Sequence, residues 1–307
     1  MNWIIGMGLL ILIGYLLDRE IYFYEGVHLG PRVQAWLYDR WSRKYDEGKR
    51  ESQLRDGEML AGPLLEATRD IPSPFVLDFA TGTGRLSHAL TRHPEFQGHI
   101  IGLDLSQGML EQAVEKLAGR VDTTRGSVVS RPDGNRDVSI SSAGLDMPSA
   151  TRPAGGVEFL RHQSLPLPFP DASFDVVCAL EVLELFPNMD EPLAEFARVL
   201  RPGGVLLTSR GTEESGRRAK VRSAAVFTSL LEENGFENVR ITKWWKLFDR
   251  VLAVKRGSSE PVKNGTLIDV LQCSTCGQVE WEEKSNSLRC RTCGRELTVT
   301  ERGIVLN

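Results

Sequence analysis

Val76-Leu77-Asp78-Phe79-Ala80-Thr81-Gly82-Thr83-Gly84-Arg85-Leu86 decides how the rest of the chain reads. Apolar residues lead to an acid, then to Gly-x-Gly, then to a helical pattern from Leu86. That order describes a buried strand, a tight turn and a helix start. Glycine in such a turn lets the backbone approach a ligand closely, because no Cβ stands in the way. The helix N-terminus beyond it offers free N–H groups. The spacing is not G-x-G-x-x-G, because Ser87 stands where a third glycine would be. Up to this point an ordinary strand-to-helix turn would read the same way. A second strand, Ile100-Ile101-Gly102-Leu103-Asp104, ends in an acid 20 residues beyond Gly84. At that interval a carboxylate accepts the hydroxyls of a ribose.

Asp78-Phe79-Ala80-Thr81-Gly82-Thr83-Gly84 with Asp104 resembles motifs I and II of class I S-adenosylmethionine (SAM)-dependent methyltransferases, of the type 11, UbiE-like group. Two later stretches resemble the same family in the same order. Leu167-Pro168-Phe169-Pro170-Asp171-Ala172-Ser173-Phe174-Asp175-Val176-Val177 is similar to its loop and fourth strand. Glu195-Phe196-Ala197-Arg198-Val199-Leu200-Arg201-Pro202-Gly203-Gly204-Val205-Leu206-Leu207 is similar to the helix and turn before its fifth strand. A nucleotide dehydrogenase would account for the first two motifs but not for the last two.

The resemblance implies an α/β fold: a Rossmann-like, doubly wound, seven-stranded methyltransferase sheet whose last strand runs antiparallel. It implies SAM as cofactor, held by Asp78, Ala80, Thr81, Gly82 and Gly84, with Asp104 on the ribose and Leu105 beside the adenosine. Ser106, a plausible N-cap for a helix over Met109 to Ala118, and Met109 itself fall near the adenosine too. Relatives carry an Asp on the adenine amino group where this chain has Gln163, whose amide oxygen still accepts from an amine. Tyr38-Asp39 and Tyr45-Asp46 match a Tyr-Asp repeat on a segment that closes over the cofactor, which makes Tyr45 a lid residue. Glu181 and Glu184 stand where the family faces its methyl acceptor, as a general base or as exposed helix residues. No Asn-Pro-Pro-Tyr or Asp-Pro-Pro-Tyr motif is present, which argues against amino methylation of nucleobases or glutamine.

The 307 residues suit one large domain plus something small. A net charge of −4 gives no electrostatic footprint for nucleic acid. Trp3 to Leu17 is a run of 15 residues without a charge. It lacks the basic start and cleavage site of a signal peptide. A buried soluble helix is the bland alternative, but such helices rarely open a chain without a polar face. We therefore expect a membrane anchor over 1–24, single-pass. Lys and Arg all follow the run, which places the catalytic domain in the cytoplasm. Residues 32–55 hold seven basic and four acidic residues among Trp36, Tyr38, Trp41 and Tyr45. That is either a helix on anionic headgroups or one capping the catalytic domain. The methyltransferase domain is expected over 25–256. Within it, 119–156 has almost no apolar periodicity and reads as a disordered insertion.

A polar linker over 257–272 precedes Cys273-x-x-Cys276 and Cys290-x-x-Cys293, separated by 13 residues. Two such knuckles supply four thiolates for tetrahedral zinc over 273–307. An iron site is the rival, because four cysteines also suit iron. The ending resembles zinc ribbons of the Trm112 type, which accompany or activate methyltransferases. From Cys273 onward five basic residues balance five acidic ones, so charge gives no sign of RNA binding.

The expectation is a membrane-tethered SAM-dependent methyltransferase with a small-molecule, lipid-like or quinone-type acceptor. The rivals are an RNA or protein methyltransferase that reads its substrate with the ribbon, and a non-catalytic SAM-binding scaffold.

Overall fold

A computed structural model describes residues 2–118, 156–215, 221–263 and 265–307. The insertion expected over 119–156 lies, apart from Gly156, outside the described residues, as does the basic stretch at 217–220. In chain order the helices and strands are α1 (Asn2–Asp18), α2 (Pro31–Gln53), α3 (Gly62–Ala67), β1 (Phe75–Phe79), α4 (Arg85–Arg92), β2 (His99–Asp104), α5 (Gln107–Ala118), β3 (Val157–Arg161), β4 (Phe174–Ala179), α6 (Asp190–Val199), β5 (Leu200–Gly211), α7 (Ala224–Glu233), β6 (Phe236–Trp245), β7 (Phe248–Lys255), α8 (Leu267–Val270), β8 (Trp281–Lys284), β9 (Ser287–Cys290), β10 (Glu296–Val299) and β11 (Ile304–Leu306).

The sheet runs β6-β7-β5-β4-β1-β2-β3-β11-β10-β9-β8. Strands β5, β4, β1, β2 and β3 are parallel, and β7 is antiparallel to both β5 and β6. Every residue of β1 and β4 is buried, which explains why each is apolar but for one acid, Asp78 and Asp175. The order reverses at β1, which lies between β2 and β4. Ligands bind outside the carboxyl ends of the strands at such a switch point.

The C-terminal strands extend this sheet. β11 lies parallel to β3, with Val305 opposite Leu160. Cys273, Trp281, Leu288, Leu297 and Val305 share one core with Phe75, Leu77 and Phe169. The segment read as a polar linker is partly packed: Thr266 and Asp269 form a capping box that starts α8, and Leu267 and Leu271 are fully buried. Trp281 Nε1 donates to the Leu271 carbonyl at 2.6 Å.

The N-terminus departs from expectation. Helix α1 has 17 residues, about 26 Å at 1.5 Å per residue. A hydrocarbon core needs ~30 Å. Among the described residues no helix is long and apolar enough to cross a membrane, so the single-pass span is corrected. The helix nevertheless exposes Trp3, Leu10, Ile11 and Tyr15, each more than three-fifths accessible.

Candidate active site

After β1 the backbone turns through left-handed conformations at Ala80 (φ 52°), Gly82 (φ 55°) and Gly84 (φ 71°). At Ala80 a side chain is held where L-residues are strained, a condition that clusters at functional sites. The two glycines serve different ends. A Cβ on Gly82 would meet no atom within 4 Å, so this position faces open space. A Cβ on Gly84 would lie 3.0 Å from that of Ala113, so this glycine lets α4 and α5 pack.

Asp78 and Asp104 are buried beneath the turn. Asp78 accepts from Thr81 Oγ1 at 2.6 Å and Ser87 Oγ at 2.8 Å. Asp104 accepts from the Gly82 N–H and the Ser106 N–H, both at 2.8 Å. Burial opposes ionisation of both. It raises the Asp78 carboxyl to about 6, and the Asp104 carboxyl to about 6 with Asp78 adding to the effect. Each oxygen of Asp104 retains a second lone pair for a ligand hydroxyl.

Asp104 and the turn above it open on a cavity of about 410 Å³. Ala80, Gly82, Leu103, Asp104, Leu105 and Met109 line it from the sheet's carboxyl side. His162 and Gln163 enter after β3, Glu181, Leu185 and Phe186 after β4, and Val27, Pro31 and Tyr38 from the N-terminal region. A side cavity of about 50 Å³ shares Tyr45, Ala80, Gly82 and Glu181 and adds Lys49 and Arg85.

Helix α2 covers the site and is pinned by two acids. Asp39 accepts from Ser106 Oγ at 2.6 Å and the Gly108 N–H at 2.8 Å. Asp46 accepts from Thr83 Oγ1 at 2.7 Å and pairs with Lys116 at 2.6 Å. Burial opposes ionisation of Asp46, but its hydrogen bonds from Lys116, Thr83 and Gln53 outweigh that and hold its carboxyl below the usual range. Tyr45 is buried near Glu181, which raises its phenol well above the ordinary value. It stays protonated at neutral pH. Tyr38 donates to Glu25.

Of the residues singled out in sequence, Ala80, Gly82, Asp104, Leu105, Gln163, Tyr45 and Glu181 line the main cavity. Asp78 and Thr81 line the side cavity. Gly84 and Glu184 line neither. Glu184 is buried and accepts from the Gly211 N–H at 2.9 Å, so it braces the end of β5 and is not poised as a base. Glu181 is paired with both Lys49 and Arg85. Lys49 and His162 are cavity-lining residues that sequence reading missed, while Arg85, at the end of the glycine turn, and Tyr38, in the Tyr-Asp repeat, were given no role of their own. Lys49 and His162 lie outside the Gly-rich and Pro-rich motifs, and their proximity arises only on folding.

The cavity suits SAM. An acid with spare acceptor capacity suits the ribose, Leu105 and Met109 offer apolar faces to a flat base, and Gly82 leaves the backbone approachable. At the other end of the chain, the Sγ atoms of Cys273, Cys276, Cys290 and Cys293 lie within 4.8 Å of one another. Cys273 and Cys293 are 3.5 Å apart and Cys276 and Cys290 3.6 Å. A tetrahedral zinc with Zn–S near 2.3 Å sets its sulfurs ~3.8 Å apart, so this donor set fits the metal.

Sequence comparison agrees with the geometry. Two family profiles described as methyltransferase domains match residues 76–152 and 136–208. A demethylmenaquinone methyltransferase of Lactobacillus johnsonii is 27% identical over 202 residues, covering 55% of this chain and 70% of that one. The ubiquinone/menaquinone biosynthesis C-methyltransferase UbiE of Francisella tularensis is 32% identical over 132 residues, 43% of this chain and 40% of that one. A fatty-acid O-methyltransferase of Mycolicibacterium smegmatis is 39% identical over 77 residues, 25% of this chain and 28% of that one. The chain thus spans less than half the length of the last two relatives. The motifs, the cavity they build and these matches together identify the chain as a class I SAM-dependent methyltransferase.

Proposed function

We propose that the enzyme methylates an apolar small molecule of quinone or lipid-like type. The observation that carries this reading is the set of apolar residues that line the main cavity besides those near Asp104: Val27, Pro31, Leu185, Phe186 and Pro187. A polar acceptor would leave its donors and acceptors unpaired there, at a cost of ~1–3 kcal/mol each. The names of the relatives point to the same acceptor class.

SAM supplies an already electrophilic sulfonium methyl. The protein's task is therefore to align the acceptor and exclude water. In this reading Asp104 holds the ribose, Gln163 and Leu105 the adenine, and α2 with Tyr38 and Tyr45 seals the site. The four cysteines hold zinc, a structural metal that fixes the short C-terminal strands. The same proposal sets the enzyme at a membrane surface, with the exposed apolar side chains of α1 buried in lipid.

Methyl-labelled SAM with cell extract, separated into lipid, protein and RNA fractions, tests this. Label in the organic phase is expected. It should fall when residues 1–18 are deleted and the acceptor is presented in vesicles. Label in RNA or protein instead would overturn the acceptor assignment.

A further inference from the structure

The charges of α2 are sorted by face. Asp39 and Asp46 bond toward the catalytic domain, the first to Ser106 Oγ and the Gly108 N–H, the second to Thr83 Oγ1 and Lys116. Lys49 goes with them and pairs with Glu181. Arg32, Arg40, Arg43, Lys44 and Arg50 are all exposed instead. Among the described residues none of these five side chains is in an ion pair or a hydrogen bond.

At 3.6 residues per turn the five cations fall within an arc of about 120°. Glu47 and Glu51 are the acids on that arc, and Glu51 is paired with Lys246 at 3.5 Å. Arg40 lies three and four residues before Arg43 and Lys44, where like charges on a helix repel. No group of the fold offsets that repulsion; an anionic surface outside it would.

The phosphates of such a surface belong to nucleic acid or to lipid, and three observations favour lipid. Trp36 and Leu54 lie on the same arc and are 60% and 82% exposed. Tryptophan among cations suits the headgroup layer of a bilayer. The whole chain carries a net charge of −4, so the arc is a local patch and not part of a broad basic field. Helix α1, which precedes this helix by a short turn, exposes an uncharged apolar surface at Trp3, Leu10 and Ile11.

Resting on the membrane-surface reading above, we infer that the outer face of α2 docks on anionic lipid headgroups. The inner face stays latched over the cofactor site, so docking and cover are two faces of one helix. Val27 and Pro31, which line the main cavity, stand just before this helix and at its first residue. Docking therefore brings that part of the cavity lining close to the layer from which an apolar acceptor comes.

The test sediments the full chain with neutral phosphatidylcholine vesicles and with vesicles that carry about a third phosphatidylglycerol. Each cation at an anionic surface contributes about fivefold to binding. The wild type should therefore bind the anionic vesicles ~100-fold tighter than the neutral ones, and screening at about 0.5 M salt should remove most of that preference. A triple variant, Arg40→Gln, Arg43→Gln and Lys44→Gln, should lose ~100-fold on anionic vesicles and nothing on neutral ones. Glutamine is a good helix former, so the variant should keep the wild-type unfolding temperature and SAM affinity. Equal binding of the wild type to both vesicles, or a triple variant that keeps the anionic preference, would overturn the docking face and leave the membrane reading in place. Tighter binding to poly(U) RNA than to the anionic vesicles would overturn it too, by giving the face to nucleic acid. Binding to neither vesicle would overturn the membrane-surface reading itself, and this inference with it.

Discussion

Replacing Asp104 with asparagine separates what this acid does for the fold from what it does for the cofactor. The carboxylate accepts one backbone N–H on each oxygen, from Gly82 and from Ser106. An amide has a single acceptor oxygen, so one of those buried N–H groups loses its partner, at a cost of ~1–3 kcal/mol. A second effect opposes it. Burial raises the folded Asp104 carboxyl to about 6, against an ordinary value of 3.8. The folded state therefore holds this proton more tightly than the unfolded one. The stability contribution of this group is present at low pH and is lost as pH rises from 3.8 to about 6. Above that range, asparagine removes a buried-charge penalty of the same ~3 kcal/mol scale. The two effects nearly cancel, so the unfolding temperature at pH 7 should change little.

SAM affinity has no such compensation. Losing a hydrogen bond from a ribose hydroxyl to a charged oxygen should weaken binding ~10- to 100-fold. In the wild type, affinity should be flat above pH 7 and should fall by ~10-fold per unit below about 6, as protonation removes the acceptor. The Asn variant should lose that share of the slope. Titration calorimetry between pH 5 and 8, with thermal unfolding in parallel, reads both quantities. An unchanged affinity in the variant, or a wild-type affinity independent of pH, would refute the placement of Asp104 on the ribose.

The two glycines of the turn should respond differently. Gly84→Ala forces a left-handed alanine against Ala113 and should cost ~2 kcal/mol or more in denaturant unfolding. Gly82→Ala meets no protein atom and should cost ~1–2 kcal/mol, but it should weaken SAM binding by blocking the backbone. Cys276→Ser should abolish stoichiometric metal, measured by mass spectrometry, and lower the unfolding temperature by about 5 °C or more; full metal content would refute the ligand set. Deleting residues 120–154 should leave SAM affinity unchanged. The flanking Gly156 accepts from the Ile100 N–H at the amino end of β2, whereas Asp104 closes the carboxyl end. A large loss of affinity in a folded deletion protein would contradict that separation.

The order of elements from β1 to β7 was legible because each signal is local. Phe75 to Phe79 is apolar except for Asp78, as suits a strand buried on both faces, and glycine supplies the turn that follows. The acids at Asp78 and Asp104 were legible through their resemblance to family motifs, and the cysteine pairs through their spacing. Glu184 misled, because a carboxylate in an acceptor-facing segment looks catalytic until its partner, the Gly211 N–H, is known. The α1 segment misled as well, because an uncharged run gives polarity but not a helix length sufficient to cross a bilayer.

Sequence by itself determined the strand–turn–helix nucleus and the two cysteine pairs, since residues close in the chain specify each of these, and a family resemblance spread over four motifs supplied the cofactor class. Only the tertiary structure decided that β11 extends the sheet at β3, that α2 is latched over the cavity by Asp39 and Asp46, and that Lys49, Arg85 and Glu181 converge. Those pairings join residues 132 positions apart for Lys49 and Glu181 and 96 for Arg85 and Glu181. No local periodicity encodes such contacts. They exist because burying the apolar faces of α2 and the sheet brings distant polar groups together, where each must find a partner or bear the cost of desolvation.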